Sequence, residues 1–147
     1  MKQQRSPKQR GSAVEGAIIQ QVPEITHAAA DHWDAITTAP VHHIETFQDL
    51  DVDLDTQIEI KSAAVVISGD RCGRFYLREQ QHEALLEKGG WYLFTVAPPN
   101  EIEPLAMRLV PARIVDEMID TWVIVEDREP FKQFAWSQFI EPSEVKR

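Results

Sequence analysis

Through its middle the chain runs Asp49-Leu-Asp51-Val-Asp53-Leu-Asp55-Thr-Gln-Ile-Glu59-Ile-Lys61: four aspartates alternate with apolar residues, a polar break follows, and an apolar alternation resumes at Ile58. A strand turns successive side chains to opposite faces, so Glu59 and Lys61 share one face while Ile58 and Ile60 share the other. The β-branched run continues to Ile67, and folding Leu50–Leu54 back on Ile58–Ile67 predicts a β-hairpin. That hairpin would bring Asp49 or Asp51 alongside Glu59 and Lys61. Two carboxylates and a backbone carbonyl suit a hard divalent cation such as Mg²⁺, which polarises a phosphoryl oxygen and acidifies a bound water. A neighbouring ammonium orients that water and stabilises charge in the transition state. The aspartates also imitate an EF-hand calcium loop counted from Asp49. Leu54 stands where its sharp turn needs glycine and Ile60 where it needs a bidentate Glu, so that reading fails.

Outward from this stretch, Val14, Ala17, Ile18 and Val22 recur at helical spacing, with Ser12 placed to cap the start. Pro23 suits a helix start, so Glu24–Ile36 reads as a second helix or as a continuation past a kink, which makes the first quarter of the chain helical. Pro40 ends that regime, and Val41–Phe47 reads as extended, anchored by Ile44 and Phe47. Arg74–Leu77 is a short strand, and Arg78–Lys88 a helix stopped by Gly89-Gly90. Trp91–Ala97 is a buried strand with Leu105–Val110 as its partner, and Pro111 opens a helix to about Thr121. Phe131–Ile140 keeps enough aromatic residues to pack on the body. The order of elements predicts an α/β sandwich around one mixed sheet.

The 147 residues are 43% hydrophobic and 27% charged, which describes a soluble globular chain of one domain and excludes a disordered or repeat protein. No apolar run is long enough to span a membrane, and the basic N-terminus lacks the apolar core of a secretory signal. A single cysteine, Cys72, excludes a disulfide framework, so a cytoplasmic protein with no membrane partner is expected. Net charge is −9, but residues 1–10 carry Lys2, Arg5, Lys8 and Arg10 without an acid, leaving eleven bases against twenty-four acids, or −13, on the rest. A basic flexible arm over 1–10 able to hold phosphates, ahead of one domain over 11–147, is the expected organisation. Six lysines against nine arginines in so acidic a chain suit a high-salt cytoplasm.

With a helix before it and a helix after it, the Asp49–Lys61 stretch resembles the PD-(D/E)xK superfamily, the restriction-endonuclease-like nucleases. Glu59-Ile60-Lys61 matches the (D/E)xK element. Asp49 matches the preceding acid by spacing, with Asp51 a close second, although Gln48 stands where the eponymous proline would. Glu15 in Ser12-Ala-Val-Glu15-Gly-Ala-Ile-Ile matches the acid that many members carry in the first helix. Gln81, with Gln80 as alternative, matches a glutamine found after the third strand in several branches. The resemblance covers about Ser12 to Ala97, and Ile58 through Trp91-Tyr-Leu-Phe looks like nuclease-like proteins of haloarchaea and their viruses.

What the resemblance implies is an α/β restriction-endonuclease-like fold, α-β-β-β-α-β plus a C-terminal strand and helix, with a mixed central β-sheet flanked by helices. It implies a DNA endonuclease dependent on Mg²⁺ or Mn²⁺. Asp49, Glu59, Lys61 and Gln81 would be catalytic, and Asp49, Asp51, Glu59 and Glu15 would be the metal ligands. Arg71, Arg74 and Arg78, with the arm's Lys2, Arg5, Lys8 and Arg10, are the candidate DNA-binding residues, because guanidinium forks grip phosphates bidentately. His82 reads as an assisting group or an inert helix-surface histidine. Trp122 and Trp136 read as core or as the interface of a homodimer, with base stacking as the further alternative. The alternative function is a catalytically inactive nuclease-fold module that binds nucleic acid or protein.

Overall fold

A proline is tolerated in the first turn of a helix, and α1 (Pro7–Gln21) opens on one. Its Val14 and Ile18, one turn apart, are both fully buried. The computed structural model describes residues 7–27, 34–41, 44–66, 72–98, 101 and 103–145. Within them the helix begins before the expected Ser12, so Pro7–Arg10 of the anticipated arm form its first turn.

At the centre lie β4 (Gln57–Ala64) and β6 (Trp91–Ala97), parallel and in register from Ile58↔Trp91 to Ala64↔Ala97. Parallel neighbours need a crossover, and here β5 (Arg74–Arg78) and α2 (Glu79–Glu87) supply it. On one side of β4 stand β2 (Ala35–Thr37) and then β1 (Ile25–His27), both antiparallel to their neighbours. Beyond β6 come β7 (Ala106–Pro111), antiparallel to it, and the edge strand β3 (Glu45–Thr46), parallel to β7. The six-stranded mixed sheet has the order β1-β2-β4-β6-β7-β3, and β5 pairs with β8 (Phe131–Ala135) in a separate two-stranded ribbon.

The period-2 alternation of β4 divides the core into two layers. Ile58 and Ile60 pack with Val14 and Ile18 of α1, and Trp91 and Leu93 of β6 join them. On the other face Ala63, Val65, Tyr92, Phe94 and Val96 pack against Leu85 of α2, Val115 of α3 (Ala112–Glu117) and Phe75, Phe134 and Phe139. Every residue of β6 is buried, as its unbroken apolar sequence requires for a strand covered on both faces. Gly89 has φ +68°, the left-handed conformation that ends α2, and Gly90 N–H returns to the Leu85 carbonyl at 2.9 Å.

Three expected elements are corrected. The antiparallel partner of β4 is β2, not Leu50–Leu54. Phe47–Asp49 forms a 3-10 turn in which Gln48 and Asp49 take φ of 53° and 56°, and Asp55 has φ 61°. Left-handed residues cannot continue a strand. Val52 is buried but Leu54 points to solvent, so the alternation there is a crossing loop with one anchor. It is tied down by Thr37, whose hydroxyl donates to the Asp53 carbonyl at 2.6 Å and accepts from Thr56 N–H at 2.8 Å. The second correction concerns Glu24–Ile36, expected as helix. Both described ends of it are strands, β1 and β2, built on the β-branched Ile25-Thr26 and Ile36-Thr37. The helix expected to reach Thr121 stops at Glu117.

Candidate active site

The last registered pair of β2 with β4 is Ala35↔Ile58, and one step further Asp34 stands opposite Glu59. There β2 has ended, and no described strand pairs with the Ile60 N–H on that edge. The Asp34 carboxylate takes it instead, accepting from Ile60 N–H at 2.9 Å. Strand alternation puts Glu59 and Lys61 on one face, as expected from sequence, and that face looks toward α2. Lys61 Nζ lies 3.2 Å from Glu59 Oε2 and donates to Gln81 Oε1 in α2 at 3.3 Å. From α1, Glu15 reaches the same place and interacts with both Asp34 and Lys61.

Three carboxyl groups and one ammonium thus interact, Lys61 with Glu59 and Glu15, and Asp34 with both glutamates. Burial raises the Glu15 carboxyl, the neighbouring Asp34 adds to the rise, and the Lys61 charge opposes it, leaving Glu15 at about 7. Burial also dominates at Glu59, whose side chain is 5% exposed. Lys61 draws Glu59 down and Asp34 pushes it up, with the result at about 8. Glu59 Oε1 is buried with no hydrogen-bond partner among the described residues. Once ionised, a buried carboxylate oxygen without a donor is costly unless a cation meets it.

Among the described residues no group of three or more His, Cys, Asp or Glu side chains forms a ready-made metal cage. A magnesium-type ion does not need one. It takes one or two carboxylates and fills the remaining positions with water and substrate phosphate. The Asp34–Glu59 pair, with the orphaned Glu59 Oε1, fits that requirement.

The structure therefore brings together Glu15, Glu59, Lys61 and Gln81 from the expected set. It does not bring Asp49 or Asp51 to them. Those two follow β3, the edge strand three positions from β4, and line an open hollow with Ile44 and Glu45. The acid beside Glu59 is Asp34, which the sequence reading missed. Its signal was an acid at the mouth of the β-branched Ile36-Thr37-Thr38 run, obscured by the helix assigned there.

Of the DNA-binding candidates, Arg74 and Arg78 are exposed on β5. Arg71, Lys2 and Arg5 lie outside the described residues, as do the side chains of Lys8 and Arg10 in α1. His82 is in the core. Its Nδ1 is 2.7 Å from the Tyr92 hydroxyl and its Nε2 is 3.0 Å from Asp116 Oδ1, so it ties α2 to β6 and α3. Trp122 packs partly buried on the core, and nothing among the described residues supports a homodimer. No described helix is long and apolar enough to cross a membrane.

No curated protein and no solved structure matches the chain. A family model described as a PD-(D/E)XK nuclease superfamily domain does, over residues 1–141. That match takes in α1, the whole mixed sheet, α2 and the acid, acid and lysine set at the end of β2. In sequence and in restriction-endonuclease-like fold, the chain belongs to the PD-(D/E)XK nuclease superfamily.

Proposed function

We propose that this protein is a metal-dependent DNA endonuclease that hydrolyses phosphodiester bonds with Asp34, Glu59, Lys61 and Gln81. The observation that carries this reading is the placement of Lys61 between Glu59 and Gln81, with Asp34 pinned to the adjoining backbone N–H. Asp34 and Glu59 would hold Mg²⁺ or Mn²⁺. When bound, such an ion polarises the phosphoryl oxygen and acidifies water. Lys61 orients the attacking water and stabilises negative charge developing on the phosphate. Gln81 fixes the ammonium by accepting one of its hydrogens and leaves its other donors for water and phosphate. Glu15 assists by holding a proton near neutral pH and hydrogen-bonding Asp34, which keeps that carboxylate oriented.

The test is incubation with supercoiled, linear, single-stranded and branched DNA in Mg²⁺, Mn²⁺ or EDTA, from low to molar salt. Cleavage that needs the divalent ion is the expected result. No cleavage of any substrate in either metal would leave a nuclease fold that binds without cutting. Activity persisting at molar salt supports the high-salt reading of the acidic body, since salt weakens phosphate binding steeply.

The N-terminal bases are a second grip on DNA in this reading. Because Pro7–Arg10 belong to α1, replacing Lys2, Arg5, Lys8 and Arg10 by Gln tests them better than truncation does. For every phosphate that these bases neutralise in the wild type, the replacement should lower the salt slope of duplex binding by about 0.9. An unchanged slope means that the segment touches no phosphate.

A further inference from the structure

The β5–β8 ribbon has an inner and an outer face. Phe75, Leu77 and Phe134 turn inward and are buried. Strand alternation and the register Tyr76↔Gln133 and Arg78↔Phe131 place Arg74, Tyr76, Arg78, Phe131 and Gln133 together on the outer face. There the Tyr76 and Phe131 rings stack, with centroids 4.9 Å apart and planes 15° from parallel. Both rings are only partly buried. The Arg128 guanidinium lies against the pair, 5.1 Å from the Phe131 centroid and 6.0 Å from that of Tyr76.

The two strands of the ribbon are basic within an acidic molecule. The net charge is −9, yet the outward residues of β5 and β8 include Arg74 and Arg78 and no acid. Of the other bases, Lys61 is paired with Glu59, Arg108 with Glu45 and Glu144, and Lys132, on the inner side of the ribbon, with Asp120. Among the described residues no carboxylate pairs with Arg74, Arg78 or Arg128. Arg74 and Arg78 are about 13 Å apart along the strand, with Tyr76 midway between them. Glu126, Asp127 and Glu129 lie in the turn segment before β8, so the bases that flank the rings free of neighbouring acids in sequence are those of β5. Its Arg78 end continues directly into α2, whose first turn presents Gln81 to Lys61.

We infer that this outer face is a binding platform for single-stranded DNA, with a base stacked on Tyr76 and Phe131 and the flanking phosphates held by Arg74, Arg78 and Arg128. Partly exposed rings rimmed by unpaired guanidinium groups are the chemistry that takes unstacked bases on a charged backbone. A duplex keeps its bases stacked on one another and offers nothing to the rings. The inference deepens the nuclease reading by naming the substrate form: DNA with an unpaired segment beside the cut, such as a flap, a splayed end or a branch.

Binding is measured in EDTA by fluorescence anisotropy, with three probes of equal length: an oligo(dT), an abasic oligonucleotide with the same phosphates, and a duplex. The wild type is expected to bind oligo(dT) most tightly. Tyr76→Leu, which keeps apolar packing and removes the ring, should weaken oligo(dT) binding about tenfold or more and leave the abasic probe unchanged. The exposed pair Arg74→Gln and Arg78→Gln together should weaken both single strands and lower the salt slope by roughly 1.4, at about 0.7 per phosphate.

Wild-type affinity for oligo(dT) in Tyr76→Leu would overturn the platform. So would an unchanged salt slope in the arginine double variant, which remains informative should Tyr76→Leu fail to fold. Because EDTA excludes cleavage, the two readings fail separately. A protein that cuts DNA but ignores Tyr76 keeps the nuclease and loses the platform; one that never cuts but shows the stacking signature keeps the platform and loses the nuclease.

Discussion

Asp34→Asn is expected to lower DNA cleavage by at least about a hundredfold, while Asp49→Asn and Asp51→Asn leave it within about twofold of wild type. The magnitude follows from removing a charged group at the reacting centre, where a single preorganised partner is typically worth a factor of about a hundred to a thousand. Asparagine keeps an oxygen that can accept the Ile60 N–H, so the end of β2 should stay in place and the variant should melt near wild type. Glu59→Gln and Lys61→Met should be as damaging, since both side chains face the site and neither fills the apolar layer formed by Ile58 and Ile60. Cleavage rates at matched folded concentration decide the matter. Normal cleavage by Asp34→Asn, or its loss in Asp49→Asn, would return the second acid to the far edge of the sheet. Unimpaired Glu59→Gln or Lys61→Met would remove the nuclease assignment.

The two halves of this site differ in how far sequence exposes them, and the difference is physical. Glu59 and Lys61 sit within one strand, where a period of two assigns faces without reference to anything else. Gln81 lies in a segment rich in helix formers that ends on Gly89, and both signals are local. Asp34 depends on which segment pairs with β4. That choice is fixed by interactions distant along the chain, above all Thr37 bridging Asp53 and Thr56, and by left-handed Asp49 and Asp55 breaking what reads as an alternating strand. Aspartate tolerates the left-handed region better than most residues, so a D-x-D-x-D run can equally be a loop. The same limit hides the outer ribbon. Arg74–Leu77 is legible as a strand, but only pairing with β8 sets Tyr76 against Phe131.

Metal-free protein should lose stability as pH rises from about 5 to about 8, and Glu59→Gln should flatten that loss. Burial, against the pull of Lys61, holds the Glu59 carboxyl at about 8 compared with an ordinary value of 4.5. Between those two values the folded chain keeps a proton that the unfolded chain releases. Stability must then fall with rising pH through this window and level off above it. The full displacement corresponds to a loss on the order of 5 kcal/mol, to which Glu15, held at about 7, adds over the lower part of the same window. Glutamine imitates the protonated carboxyl and cannot ionise, so in EDTA at pH 8 Glu59→Gln should be the more stable protein. A divalent cation reverses the preference, because it favours the ionised carboxylate. Millimolar Mg²⁺ or Mn²⁺ should raise the wild-type melting temperature, release protons on binding near pH 6.5, and leave Glu59→Gln nearly unmoved. Denaturant titrations across the pH series, with and without metal, read both effects. A flat wild-type profile in EDTA would show that water already compensates the buried carboxyl, and a full metal response in Glu59→Gln would remove Glu59 from the ligand pair.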